Sequence, residues 1–289
     1  MAAPQQSVSE DMGQRKTPSP SASSSTTYYQ PENPMETIPT DGFNVHRGEY
    51  IPNTPLAASL VSVLLGITFS LGCMLFFNPN GFLESLVSSR ELQDRWSLLG
   101  FFFAAWAAFH WGEYAVTAGW NRKRCSVDSF LLENGREYHI AHGAAVIEFI
   151  LTMLLAPGCK RHTIISYFGI LLTLFGQWLR SASMIHAASN FSHQVATRKE
   201  ETHRLVTDGV YAYFRHPSYA GFFYWSLGTQ MALQNPIAFT GYAMVTWRFF
   251  NHRIRVEERY LLKFFGKEYE EYSGSIWSGI PFISGFVRT

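Results

Sequence analysis

Residues 56–77 form a run of 22 without a single charge, and that run limits what the chain can fold into more than any other feature. At 1.5 Å per helical residue it is long enough to cross the roughly 30 Å hydrocarbon core of a bilayer. Inside a bilayer every backbone N–H and C=O must pair within the protein, so the run reads as a membrane-spanning helix. Further apolar stretches follow at 96–120, 138–157 and 163–186. Two more, 219–233 and 236–250, are each about 15 residues and marginal for a full crossing. The Asn235-Pro236 pair between them predicts a tight helical hairpin. Strong turn chemistry at Asn78-Pro79-Asn80-Gly81 ends the first run, and the mixed segment 81–95 reads as an interfacial helix.

Composition agrees with a membrane protein: 47% of the residues are hydrophobic and only 16% charged. A net charge of +1, with no basic cluster longer than Arg122-Lys123-Arg124, gives no basis for nucleic-acid binding. The three cysteines, Cys73, Cys125 and Cys159, have neither the number nor the spacing of a disulfide framework or a zinc site. The polar N-terminus does not read as a cleavable signal peptide. Residues 1–52, rich in Ser, Thr, Pro and Gln, cannot bury enough apolar surface to offset their ordering entropy and read as a disordered cytosolic tail. The organisation expected is therefore an all-α polytopic bundle, with N-terminal spans in 53–162 and further membrane segments in 163–289.

Basic residues set the orientation. Six spans put the loops 121–137 and 187–218 on the same face as both termini. That face carries Arg122, Lys123, Arg124, Arg136, Arg198, Lys199, Arg204 and Arg215, against Arg90, Arg95, Lys160 and Arg161 on the other. Residues 203–272 are thereby assigned to the cytosol, and Cys125 and Cys159 to opposite faces.

Polar residues of both charges abut membrane-grade sequence at each end of 203–272, an arrangement that is costly unless they meet one another or a ligand. Arg215-His216-Pro217-Ser218-Tyr219 lies where a loop becomes a helix, with Pro217 suited to the first helical position. Free N–H groups at such a helix start bind polar ligand atoms, although many ordinary helices begin this way. After residue 250 a charged helical pattern puts Arg253 and Glu257 on one face, which a surface i,i+4 pair would also explain. Arg180 either snorkels to the interface or faces a cavity and holds an anion. His110 and Glu113, with His139, His142 and Glu148, match none of the zinc spacings and are expected to satisfy one another or loop backbone between packed helices.

Taken together, HRLVTDGVYAYFRHPSYAG, the hairpin and an Arg-x-x-x-Glu-Glu helix ending in FFGKEYEEY resemble the isoprenylcysteine carboxyl methyltransferase family. The likeness runs from Gln177 through GQWLR and SNFSH to Pro281-Phe282-Ile283. RHPxYxG alone is shared with related membrane methyltransferases and sterol reductases; its combination with the Glu-Glu helix is specific. The resemblance makes 163–289 the catalytic membrane methyltransferase region and implies S-adenosylmethionine as cofactor, held at the cytosolic face by His203, Arg204, Leu205, Val206, Tyr211, His216, Pro217, Ser218, Tyr219 and Glu257. It points to Arg253 as the residue that steers the substrate carboxylate, with Arg180 as a second catalytic candidate and Glu257 or Glu258 as a partner near Arg253. The implied substrates are C-terminally farnesylated or geranylgeranylated proteins, reached from the bilayer at the endoplasmic reticulum, with no metal required. A phospholipid N-methyltransferase, an NADPH-dependent reductase and a non-enzymatic membrane adaptor remain as alternatives. An amine nucleophile would favour acidic neighbours over Arg253, and the 2′-phosphate of NADPH would not favour Glu257-Glu258.

Overall fold

The computed structural model describes residues 51–78, 81–86, 89–156, 160 and 163–285. Residues 1–50, nearly all of the expected tail, lie outside that range, as does Cys159. Among the described residues the chain is all-α: α1 (Pro55–Phe77), α2 (Phe82–Leu86), α3 (Arg90–Trp120), α4 (Arg136–Leu155), α5 (Ile164–Ala187), α6 (Pro217–Leu233), α7 (Pro236–Phe265) and α8 (Lys267–Ser275). One isolated bridge pairs Phe214 with Trp277.

Local chemistry explains the helix limits. Thr54 accepts a hydrogen bond from the Ala57 N–H at 3.1 Å, Pro55 follows it, and Asn78 closes α1 in the left-handed region. Pro217 opens α6 and Pro236 opens α7, each where a missing N–H costs no intrahelical bond. Gln234 stops α6 with φ 54°, and Gly266 ends α7 with φ 57°.

Two of the described helices, α1 and α4, are long and apolar enough to cross a membrane by length and composition. Neither is a core helix of a soluble protein, because only 17% and 11% of the most apolar 18 residues of each are buried. On α1, Leu56, Leu60, Val63, Leu64 and Leu71 point outward; on α5, Ile164, Ile165, Phe168, Leu171 and Trp178 do the same. Such a continuous outward apolar surface suits lipid rather than water. The helices expected as further spans are less apolar because they carry polar residues between the helices, among them Glu113 on α3 and Arg180 on α5.

One expected boundary changes. The segment 81–95 is not one interfacial helix: it divides into α2 and the first turns of α3, which starts at Arg90 rather than residue 96. The helical pattern expected to continue past residue 250 does so, within one helix. α7 runs unbroken for 30 residues, about 45 Å at 1.5 Å per residue, because no proline follows Pro236 within it and Gly241 is its one glycine before Gly266. The change from apolar to charged sequence at residue 250 alters what surrounds the helix, not its backbone.

α5 and α6 lie against each other along their lengths, backbone to backbone. A Cβ added at Gly176 would sit 2.4 Å from the Trp225 nitrogen, and one at Gly221 would sit 2.6 Å from the Arg180 nitrogen. Glycines at these positions let the helices approach more closely than any side chain allows. The seam therefore sets where Arg180 stands relative to the start of α6.

Candidate active site

The start of α6 is fastened from below by the segment after α8. Arg215 N–H donates to the Trp277 carbonyl at 2.8 Å and His216 N–H to that of Ser278 at 3.2 Å. The Arg215 guanidinium donates to the carbonyls of Ser273 (2.8 Å), Ser284 (2.9 Å) and Ile276. Its Nε and the His216 Nε2 both reach Glu258 Oε1, at 3.0 and 3.1 Å. Glu258, only 2% exposed, thus ties α7 to the α6 start.

Above this start lies a hollow with about 680 Å³ of empty space, part of it open to solvent. Nine of the ten residues expected around a cofactor line it: Arg204, Leu205, Val206, Tyr211, His216, Pro217, Ser218, Tyr219 and Glu257. His203 is not among these lining residues; its Nδ1 accepts from the Glu200 N–H at 3.4 Å. The sequence reading did not pick out Asn190, Phe191 and Ser192, just beyond α5, nor Leu261, Tyr269 and Tyr272. Tyr269 and Tyr272 stand in the FFGKEYEEY motif three apart, a helical spacing that could have marked both for one wall. Tyr272 donates to the Tyr211 carbonyl at 2.6 Å, and Tyr211 to that of Ser183 at 3.3 Å. Burial, and for Tyr211 also the charge of Glu257, push both phenols well above their usual range. They stay neutral and keep their protons as donors.

Tyr219 stands between two ionised groups. Its hydroxyl donates to Glu257 and accepts from Arg253 Nε at 2.9 Å, while the guanidinium lies over its ring at 5.2 Å. The carboxylate expected near Arg253 is thus Glu257, reached through Tyr219; Glu258 is taken by Arg215 and His216. A second guanidinium nitrogen of Arg253 donates to the His193 carbonyl. Arg253 also lines a separate hollow with Val195, Val245, Arg248, Phe249, His252 and Val256. It therefore borders one cavity directly and reaches the other through the Tyr219 hydroxyl.

Arg180 points inward. Its guanidinium forms a two-pronged pair with Glu113 of α3, Nη2 to Oε2 at 2.8 Å, and donates to the Ser218 carbonyl (3.2 Å) and Oγ (3.0 Å). Only 6% exposed, it does not snorkel: a carboxylate and the first turn of α6 fill its donor fork. Glu113 accepts as well from His193 Nε2 at 3.0 Å. His110 is satisfied elsewhere, donating through Nδ1 to the Phe130 carbonyl and accepting at Nε2 from Tyr138, both at 2.7 Å. Among the described residues no three His, Cys, Asp or Glu side chains converge as metal ligands would.

Comparison with known proteins places this arrangement among relatives. The model of the isoprenylcysteine carboxyl methyltransferase family matches residues 169–263. A human protein-S-isoprenylcysteine O-methyltransferase is 45% identical over 221 residues, covering 76% of this chain and 73% of its own. The Saccharomyces cerevisiae protein of the same name is 44% identical over 200 residues, 66% of this chain and 82% of its own. A solved structure described as the eukaryotic intramembrane Ras methyltransferase, isoprenylcysteine carboxyl methyltransferase, superposes with a TM-score of 0.72 at 36% identity, covering 80% of this chain and 78% of that one.

Proposed function

The chain belongs to the isoprenylcysteine carboxyl methyltransferase family and methylates the carboxylate of prenylated cysteine; we propose that S-adenosylmethionine is the donor and that the hollow above the α6 start holds it. The donor set supports this. A carboxylate (Glu257) and a guanidinium (Arg204) match the hydroxyls and the carboxylate of such a ligand, and neutral tyrosine faces with Leu205, Val206 and Leu261 suit a flat base. When bound, the cofactor supplies an electrophilic methyl on a positively charged sulfur.

The protein's share of the chemistry is placement. A C-terminal carboxylate has a pKa near 3.5 and is ionised at neutral pH, so no side chain has to remove a proton. Arg253 draws that carboxylate in and orients it, while Tyr219 and Glu257 keep the guanidinium from moving freely. Because Tyr219 and Glu257 also line the donor hollow, one hydrogen-bonded chain sets both halves of the reaction. Arg180 acts at one remove, by fixing Ser218 in the first turn of α6. The observation that carries this reading is Arg253 lining one cavity while its Nε bonds the wall of the other.

The substrates proposed are farnesylated and geranylgeranylated C-terminal cysteines, their lipid entering from the bilayer. The protein is proposed to be a multi-pass enzyme of the endoplasmic reticulum with this site facing the cytosol, α3, α5 and the α6–α7 hairpin completing the six crossings. Methyl transfer from labelled S-adenosylmethionine to an S-farnesylcysteine analogue by purified protein tests the reading. Transfer to phosphatidylethanolamine instead would overturn it.

A further inference from the structure

We propose that Glu113 and His193 are positioning residues that hold Arg253 in its working orientation from the far side of the bundle. The inference rests on the reading of Arg253 as the residue that orients the substrate carboxylate.

Arg253 is held by two acceptors on different elements: the Tyr219 hydroxyl on α6 and the His193 carbonyl in the stretch between α5 and α6. That stretch contains no regular helix from Phe191 to Asp208, so its backbone is fixed by what its side chains reach. His193 reaches Glu113, donating its Nε2 proton at 3.0 Å to a carboxylate whose side chain is 1% exposed. Glu113 cannot follow a moving loop, because the Arg180 fork holds both of its oxygens and is itself bonded to the α6 start. A nearby contact points the same way: Asn121, just past α3, donates to the Phe191 carbonyl at 2.8 Å. α3 thus holds the loop at two places, and the second determines where the His193 carbonyl meets the guanidinium.

Without the imidazole, Arg253 keeps Tyr219 but loses a fixed second acceptor, and the guanidinium swings about its terminal torsions. Methyl transfer requires the nucleophile at near-attack distance and in line, and a misplacement of about 1 Å costs on the order of 10²-fold in rate. Neither Glu113 nor His193 lines the hollow of the methyl donor, and the part of the loop that does, Asn190 to Ser192, keeps its own anchor through the Asn121 bond to the Phe191 carbonyl when the imidazole is removed.

The test compares His193→Ala and His193→Gln in the full-length protein, measuring kcat with an S-farnesylcysteine analogue and S-adenosylmethionine binding by calorimetry on the same preparations. His193→Ala is expected to lower kcat roughly 10- to 100-fold with donor affinity within about twofold of wild type. His193→Gln, which keeps an N–H donor at similar reach, is expected to restore most of the rate. Calorimetric stoichiometry counts folded sites, so a variant that only folds poorly shows fewer sites at an unchanged rate per site, and that result overturns the proposal. Equal impairment of the two variants, or a loss of donor affinity as large as the loss of rate, also overturns it. Arg253→Ala, run beside them, separates the two claims. If it is inactive while His193→Ala is fully active, only the positioning role falls; if it is active, the assignment of Arg253 falls as well.

Discussion

The α6–α7 hairpin has two ends that use charge in opposite ways. At the turn, Lys160 is fully buried and donates to the Leu233 and Gln234 carbonyls and to Asn235 Oδ1, at 2.8, 2.6 and 2.8 Å. Glu148 of α4 accepts from the Ile237 and Ala238 N–H groups, at 2.9 and 2.6 Å. The cation therefore sits at the C-terminus of α6 and the anion at the N-terminus of α7, each complementing a helix dipole. Every donor of the ammonium has an acceptor, so these charges serve the fold alone. At the other end Arg253 and Glu257 are joined only through one tyrosine hydroxyl, and both border cavities. The contrast separates two kinds of charge: one whose valences are met by backbone and the Asn235 side chain, and one left facing space where a ligand fits.

Substitutions at the two ends should therefore fail differently. The largest effect is expected from Arg253→Ala, which should lower turnover by roughly 10²- to 10³-fold, as losing a preorganised charge does, while S-adenosylmethionine binding by calorimetry is retained. Wild-type turnover in that variant would sink its assigned role. Glu257→Ala should act on the cofactor instead, raising its Kd by roughly 10-fold or more, in line with losing a hydrogen bond to a charged group. Lys160→Met at the turn should lower stability by about 1–3 kcal/mol by leaving buried acceptors unpaired, with kcat per folded molecule unchanged. A drop in kcat there, at full occupancy of folded sites, would erase the distinction between the ends. Glu148→Gln keeps one of the two acceptor oxygens and removes the charge, and about 1–2 kcal/mol of thermal stability is the expected loss.

The sequence disclosed the two ends of this unit unequally. RHPSYAG and the Arg-x-x-x-Glu-Glu helix were legible because each is local: a proline fixes a helix start, and four-residue spacing puts Arg253 and Glu257 on one face. The partner of Arg180 was not legible, since Glu113 lies 67 positions away and meets it only because the bundle brings α3 against α5. Glu258 shows the same limit. Adjacent to Glu257 in sequence, it turns to Arg215 and His216 instead, a choice made by about 100° of helix rotation per residue. The continuity of α7 past residue 250 was legible in its helical pattern, even though the hydropathy changes there. A trace of the seam was present in the glycines, since Gly169 and Gly176 stand seven apart on α5, as do Gly221 and Gly228 on α6. Repeats of small residues at that spacing mark one face of each helix as the line of close approach.

The clamp on Arg215 has a consequence in time. Its acceptor on Ser284 lies 69 positions further along the chain. At about 5–20 residues per second of synthesis, α6 is complete for several seconds before that carbonyl exists. Through that interval α1 to α6 can insert and pack while α7 and α8 are being made, yet the floor beneath His216 is missing. The site is therefore completed only after its helices, and a chain cut short before residue 284 has the helices without the full clamp on Arg215.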